Sequence, residues 1–357
     1  MLRAAAAEVT AQQAGARLAA AAAGSLSGVF AVNKPPGISC TGLLDYFKRN
    51  VGHGRECVPF AEHFARERGL RRSGHKILRR KCAIQLRVGH GGTLDVEAAG
   101  VLVIGINNAC KQLTTYLAGE KSYLATARLG VATDSYDAEG KITAVGGAAT
   151  VTGEALQAAI PRFVGDIMQA PPVYSALRVN GKRLYEYARS GEPVPLDIKQ
   201  RQVNVKGIRL LHFAHPATGQ QLGTRVALPA QYDDYYTSGR YAGGSNDTAG
   251  ELQVGAAMAP FANCPALPQF QILIQSGGGV YVRSLVHDLG VAVGSHATMT
   301  SLVRMAQGPF RLGRDTISVD DLPYIDRIVD AMRHTSAAIA RNSLAATQNA
   351  PETRAVE

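Results

Sequence analysis

An α+β fold is the class this sequence predicts, on two observations. Strand-like and helix-like apolar patterns alternate irregularly along the chain, and extended runs stand near both ends. A doubly wound parallel sheet would alternate strand and helix with more regularity. At 357 residues the chain is long enough for one large domain or two ordinary ones.

The elements follow in order. Residues 1–27 form an alanine-rich tail holding Arg3, Arg17 and one acid, Glu8; it reads as a low-complexity tail or a mitochondrial presequence. Val29–Val32 predicts a short strand entering the turn Asn33-Lys34-Pro35-Pro36-Gly37-Ile38-Ser39-Cys40, which proline and glycine fix. Leu43, Leu44 and Phe47 then recur at helical spacing. Residues 50–82 read as an inserted basic loop or helix. Val101–Ile106 is a buried strand by its unbroken apolar run, and Lys121–Leu129 a second strand. Thr152 is placed to cap a helix with the stripe Leu156, Ile160 and Phe163. Gln169–Ala176 is extended, and a helix covers about 183–189. Residues 201–213 alternate, with Val203 and Val205 on one face. Residues 214–268 lose all periodicity and read as a flexible surface insertion. Phe270, Ile272 and Ile274 alternate again, a helix follows Gly277–Gly279 as far as Asp288, and Met299–Met305 is the last expected strand. One helix, with Leu322, Ile325, Val329 and Met332 on a face, then precedes a polar tail.

Between the expected strands Val29–Val32 and Val101–Ile106 lies Gly89-His90-Gly91-Gly92-Thr93-Leu94-Asp95. Three glycines in four positions let the backbone turn tightly and a ligand approach closely. No Lys-Ser or Lys-Thr follows them, and the spacing is not Gly-x-Gly-x-x-Gly, so phosphate-loop readings fail. Asp95 then has two readings: the cap of a short helical turn beginning at Val96, or a reactive carboxylate.

Composition narrows the partner. There are 38 Lys+Arg against 28 Asp+Glu, a net charge of +10, which favours a polyanion such as nucleic acid. Nine of those basic residues, with one acid, fall between Arg66 and Arg87. Five scattered cysteines without Cys-x-x-Cys suggest neither zinc nor a disulfide framework, and fit a reducing compartment. Asp134 and Asp137 are three apart, the wrong spacing for a calcium loop. No apolar run approaches the length of about 20 residues that crosses a membrane.

Several segments together resemble the TruB-type pseudouridine synthases. They are Asn-Lys-Pro-Pro-Gly-Ile-Ser; Gly-His-Gly-Gly-Thr-Leu-Asp with Gly-Val-Leu-Val-Ile-Gly; and Lys-Ser-Tyr with its downstream Asp-x-x-Asp-x-x-Gly. Further on come Ala-Pro-Pro-Val-Tyr-Ser-Ala-Leu-Arg, Tyr-Val-Arg-Ser-Leu-Val-His-Asp-Leu-Gly and Leu-Val-Arg-Met-Ala-Gln-Gly-Pro-Phe. They occur in family order between about residues 28 and 310. The resemblance implies a pseudouridine-synthase catalytic fold over 28–316, a mixed and mostly antiparallel sheet flanked by helices, with 317–357 a C-terminal helix and tail. It implies isomerisation of uridine 55 in the T-loop of transfer RNA, by flipping the base out of its stack.

By the same resemblance Asp95 is the catalytic carboxylate and Arg283 the arginine that pairs with it. Tyr123 stacks on the extruded base and Tyr281 lines the pocket. Leu302 and Arg304 lie on the motif that closes it. His90 meets the RNA, and Lys34 supports the site. Two departures stand beside the chemistry: Val96 where the family usually has Pro, and Cys40 at a place commonly Ser or Thr. The reaction needs no cofactor and no metal, and none is expected. The expected partner is the T-arm stem-loop of tRNA, with other RNA, such as messenger-RNA stem-loops, as an alternative substrate and a non-catalytic tRNA-folding chaperone as the alternative class. A monomer is expected, without membrane association, in the nucleus or the mitochondrion and not secreted. The C-terminal RNA-binding module of many relatives is expected to be missing. The basic run before Arg87 then serves as a phosphate grip or as a nuclear-import signal.

Overall fold

The computed structural model describes residues 26–51, 86–190, 193, 198–228 and 267–348. Most of the expected N-terminal tail, nearly all of the 50–82 insertion and residues 229–266 of the later one lie outside the described residues. The chain forms two compact units, one drawn from Met1–Val96, Gly100–Leu117 and Ala306–Glu357, the other from Glu97–Ala99 and Ala118–Met305.

The first unit opens with strand β1 (Gly28–Lys34) and helix α1 (Cys40–Asn50). Ser39 caps α1 by accepting from the Gly42 N–H at 3.0 Å, and Lys48 and Arg49 stand in the last turn, where the helix dipole favours cations. Leu43, Leu44 and Phe47 are buried as their spacing predicts, and Phe47 meets Phe30 of β1 edge-on at 6.0 Å. Strands β2 (Val88–His90) and β3 (Ala99–Ile106) follow, then helix α2 (Leu113–Ala118). Every residue of β3 is buried, which explains its unbroken apolar run. Its larger side chains each contribute about 1.5–3 kcal/mol of burial. β3 pairs antiparallel with both β1 and β2.

The chain then builds the second unit. Its strands are β4 (Lys121–Leu129), β5 (Val131–Thr133), β6 (Ile142–Val145), β7 (Gly165–Gln169), β8 (Arg178–Val179), β9 (Lys182–Arg183), β10 (Arg201–His215), β11 (Gln220–Gly223), β12 (Gln269–Ser276) and β13 (Ala297–Gln307). Helices α3 (Gly153–Ala159), α4 (Leu184–Ser190) and α5 (Val282–Ala292) lie between them. Strands run in the order β11-β10-β12-β4-β13, with β7 also on β10. The β10–β11, β10–β12, β10–β7 and β12–β4 pairs are all antiparallel. Phe270, Ile272 and Ile274 are buried along β12. The helix after the three glycines extends to Ala292, beyond the expected Asp288.

The last two residues of β13 belong to the first unit, where they pair with β14 (Phe310–Arg311). Strand β15 (Thr316–Ile317) then runs parallel to β1, and helix α6 (Ile325–Gln348) packs on it. A Cβ on Gly28 would sit 2.6 Å from Met332 Sδ, so β1 and α6 approach as closely as a missing side chain allows.

Four expectations change. Met299–Met305 is not the last strand, because two short ones follow. The aperiodic stretch from 214 begins as an ordered hairpin, β10–β11, and Val226 beyond it exchanges two backbone hydrogen bonds with the Gln271 side chain. Among the described residues of α6, Ile328 is fully buried and Val329 only half-buried; both satisfy helical spacing, and packing selects the first. The predicted helical stripe through Phe163 ends in a 3-10 turn, Ile160–Phe163, because Pro161 has no N–H to continue the α-helix. The α+β class, with a mostly antiparallel mixed sheet arrangement, is what the chain adopts.

Candidate active site

The predicted site residues divide between the units. Lys34, His90 and Asp95 belong to the first, and Tyr123, Tyr281, Arg283, Leu302 and Arg304 to the second.

In the first unit the glycine loop is held at three points. Gly91 donates to Val103 O at 2.8 Å. The fully buried Gln307 side chain donates to Gly91 O at 2.6 Å and Tyr116 O at 3.2 Å. Leu94 is gripped by the Cys40 thiol, which accepts from its N–H at 3.2 Å and donates to its carbonyl at 3.4 Å. On the far side of Asp95, the Val96 carbonyl accepts from Gly37 N–H at 2.9 Å and from Lys34 Nζ at 3.0 Å. Lys34 is fully buried and also donates to Pro35 O at 2.9 Å. Asp95 itself is half-buried.

The capping reading of Asp95 fails here. Residues 96 and 97 form a bend and β3 begins at Ala99, so there is no helical turn to cap. The physical reason is the Val96 carbonyl, which is occupied by the turn at 34–37 and not by an N–H four residues on. His90 ends β2, half-buried, opposite Ile104.

In the second unit, α5 has no side-chain cap of its own. Gln169 takes that place: its amide donates to Tyr281 O at 2.9 Å and accepts from Tyr281 N–H at 2.8 Å. Ser284 adds a bond to Ala170 O at 3.0 Å. The extended segment after Gln169 thus fixes the first turn of α5, and with it the buried Arg283. The Arg283 guanidinium donates to Ser135 O at 3.0 Å and Tyr174 O at 2.8 Å, and stands 3.4 Å from the Asp137 carboxylate. Asp137 is held in turn by Ser135 Oγ at 2.5 Å and the Glu139 N–H at 3.1 Å.

Tyr123 is buried on β4 opposite Ile274, and Leu302 and Arg304 are buried two residues apart on β13. Lys121 is also buried, two residues before Tyr123 and on the same side of its strand, and donates to Gly119 O at 2.7 Å. Burial, and then the charge of Arg304, lower its pKa from 10.5 to about 8.

Cys40, Asp137, Gln169 and Lys121 carry much of this geometry and were not singled out from the sequence as site residues. Three of them did have a signal: Asp137 its place in Asp-x-x-Asp-x-x-Gly, Lys121 its place in Lys-Ser-Tyr, and Cys40 its place at a position commonly Ser or Thr. Gln169 acts on the backbone of a residue more than a hundred positions away, which leaves no local pattern to read. Among the described residues no helix is long and apolar enough to cross a membrane.

A family model described as TruB family pseudouridylate synthase, N-terminal domain, matches residues 78–229. The "tRNA pseudouridine synthase 4" of Schizosaccharomyces pombe is 32% identical over 330 residues, covering 80% of this chain and 79% of the relative. The human "Pseudouridylate synthase TRUB1" is 33% identical over 313 residues, covering 88% and 70%. The "tRNA pseudouridine synthase B" of Lactobacillus delbrueckii is 36% identical over 244 residues, covering 68% and 66%. With the Asp95 loop lying inside the matched span and the likeness running through most of both chains, this chain belongs to the TruB family of pseudouridylate synthases.

Proposed function

We propose that this protein is a tRNA pseudouridine synthase that isomerises uridine 55 in the T-loop, with Asp95 as its catalytic carboxylate. The observation that carries the reading is the grip on the residues either side of Asp95. Leu94 is fixed through both backbone groups and Val96 through its carbonyl, so the backbone on either side of Asp95 is held in place. Relatives named tRNA pseudouridine synthases support the tRNA pseudouridylation in this reading.

The reaction breaks the N1–C1′ glycosidic bond, turns the uracil and rejoins it through C5. Atoms and oxidation state are conserved, so the protein's task is to supply one ionised carboxylate in a fixed place. A guanidinium keeps such a group charged where burial alone would neutralise it, and this is the role the resemblance assigns to Arg283. The target uridine is stacked within a folded loop, and flipping it costs a few kcal/mol. Stacking on Tyr123 returns about 1–3 kcal/mol of that. Tyr281 and Leu302 supply apolar pocket wall, and Arg304 and His90 the polar contacts to RNA. Lys34 acts on the Asp95 loop through Val96. The net charge of +10 matches a polyanionic substrate.

The test is incubation of the purified chain with unmodified tRNA, followed by pseudouridine mapping. The wild type should convert one T-loop uridine. Asp95→Asn should bind the tRNA with similar affinity and convert none; conversion at the wild-type rate would remove Asp95 from the chemistry. A pure folding chaperone would instead yield no pseudouridine with either protein.

A further inference from the structure

We infer that the stacked pair Tyr136–His287 is a positioning device for Arg283, a role that rests on the reading of Arg283 as a site residue given above. The two rings lie 4.1 Å apart with an interplanar angle of 18°. His287 is four residues beyond Arg283, so both side chains project from one face of α5, a turn apart. Tyr136 sits between Ser135, whose carbonyl accepts from Arg283, and Asp137, whose carboxylate pairs with it. The 134–137 loop therefore meets α5 at two points, the guanidinium and the ring stack. The loop backbone is also bonded to Met299 and Thr133, and the ring stack adds a second contact with α5 beside the guanidinium. We take this second contact to set the angle at which Asp137 meets the guanidinium.

Two further observations favour positioning over simple packing. Tyr136 has φ +63°, a left-handed conformation that a glycine adopts without strain and a tyrosine does not. The chain holds a strained aromatic residue where a turn alone would be better served by glycine. The Nδ1 atom of His287 is buried with no hydrogen-bond partner, so what this residue offers the loop is the face of its ring. The backbone of Tyr136 is fixed as well: its carbonyl accepts from Met299 N–H at 3.1 Å. Its side chain and main chain thus hold the loop against different elements of the same unit.

The experiment compares full-length wild type, His287→Ala, His287→Phe, Tyr136→Phe and Tyr136→Gly on unmodified tRNA. Thermal melting and exchange of the Arg283 side-chain N–H protons by NMR are measured beside the kinetics. His287→Ala and Tyr136→Gly should lower kcat about tenfold, with KM within twofold, because a small misplacement of a site group is enough. His287→Phe and Tyr136→Phe keep a ring to stack and should recover most of that loss. Tyr136→Gly should lose activity without losing Tm, since it also relieves the backbone; a purely structural stack would lose both together. Arg283 N–H exchange should quicken in the two variants that lose a ring and not in the two that keep one. Unchanged kcat and unchanged exchange in His287→Ala would overturn the inference. Failure of the wild type to form pseudouridine would instead overturn the proposed function, and the exchange measurement would still decide this one.

Discussion

Cys40 and Leu94 form a closed two-bond pair: one sulfur accepts from the Leu94 N–H and donates to the Leu94 carbonyl, fifty-four positions away in sequence. The pair ties the start of α1 to the residue before Asp95. Cysteine does this with long, weak hydrogen bonds, and a serine or threonine hydroxyl, common in the family at this place, would use shorter and stronger ones.

Removing the thiol should therefore be felt at the carboxylate. Cys40→Ala leaves two buried backbone groups with weaker company, at a cost of about 1–3 kcal/mol. It should lower kcat several-fold with KM little changed. Cys40→Ser should hold kcat near the wild-type value. Equal rates for Ala and wild type, with matched folded fractions, would show that the pair does not set the Asp95 loop.

Gly91 is irreplaceable for a steric reason. A Cβ there would stand 2.8 Å from Tyr116 Cβ, an atom next to the backbone that cannot swing aside. Gly91→Ala should destabilise by about 1–3 kcal/mol in urea unfolding and reduce turnover by displacing the loop. Gly207→Ala, where nothing lies within 4 Å, is the control and should change stability by no more than about 0.5 kcal/mol.

The Arg283–Asp137 ion pair is largely buried, with side-chain exposures of 5% and 17%. Asp137→Asn keeps the shape and removes the charge that faces the guanidinium. Arg283 retains its two carbonyl partners, so the expected loss is about 2 kcal/mol. Salt should barely change it, because the pair is shielded from solvent. A stability difference that vanishes in 1 M salt would place the interaction in solvent instead.

Lys121 gives a pH signature. Its folded pKa of about 8 lies below the 10.5 of an ordinary lysine, so the unfolded chain binds more protons between those values. Stability contributed at this position is lowest below pH 8 and rises as the pH climbs toward 10.5, by up to about 3 kcal/mol. Lys121→Met should abolish that rise. Urea unfolding of both proteins at pH 7.5 and 10 measures the difference, and parallel pH profiles would mean that Lys121 is not perturbed by burial.

What could be read from the sequence depended on whether a feature left a period. β12 was legible because Phe270, Ile272 and Ile274 alternate along it, and α1 because Leu43, Leu44 and Phe47 mark one face. The Asp95 loop was legible as a loop, but its local geometry was not. Whether Val96 opened a helical turn was decided by Lys34 and Gly37, some sixty positions earlier, and no local pattern reports a contact at that separation. The β10–β11 hairpin was hidden for a different reason: Gln220–Gly223 is too short and too polar to show alternation. Asp137 was visible as a residue and not as a partner, since the ion pair joins a loop to a helix nearly 150 positions away.

The alignment of Ala31 with Thr316 in the β1–β15 pair carries a consequence for synthesis. A ribosome that has just released β1 has nearly the whole chain still to make before that strand's parallel neighbour exists. Until then one edge of β1 is bare, while the residues from Ala118 to Met305 emerge in one uninterrupted length and can settle among themselves. A premature stop before codon 316 would thus yield a product in which β1 never gains its parallel neighbour. Its loop bearing residue 95 would have a starting wall but no finished house around it.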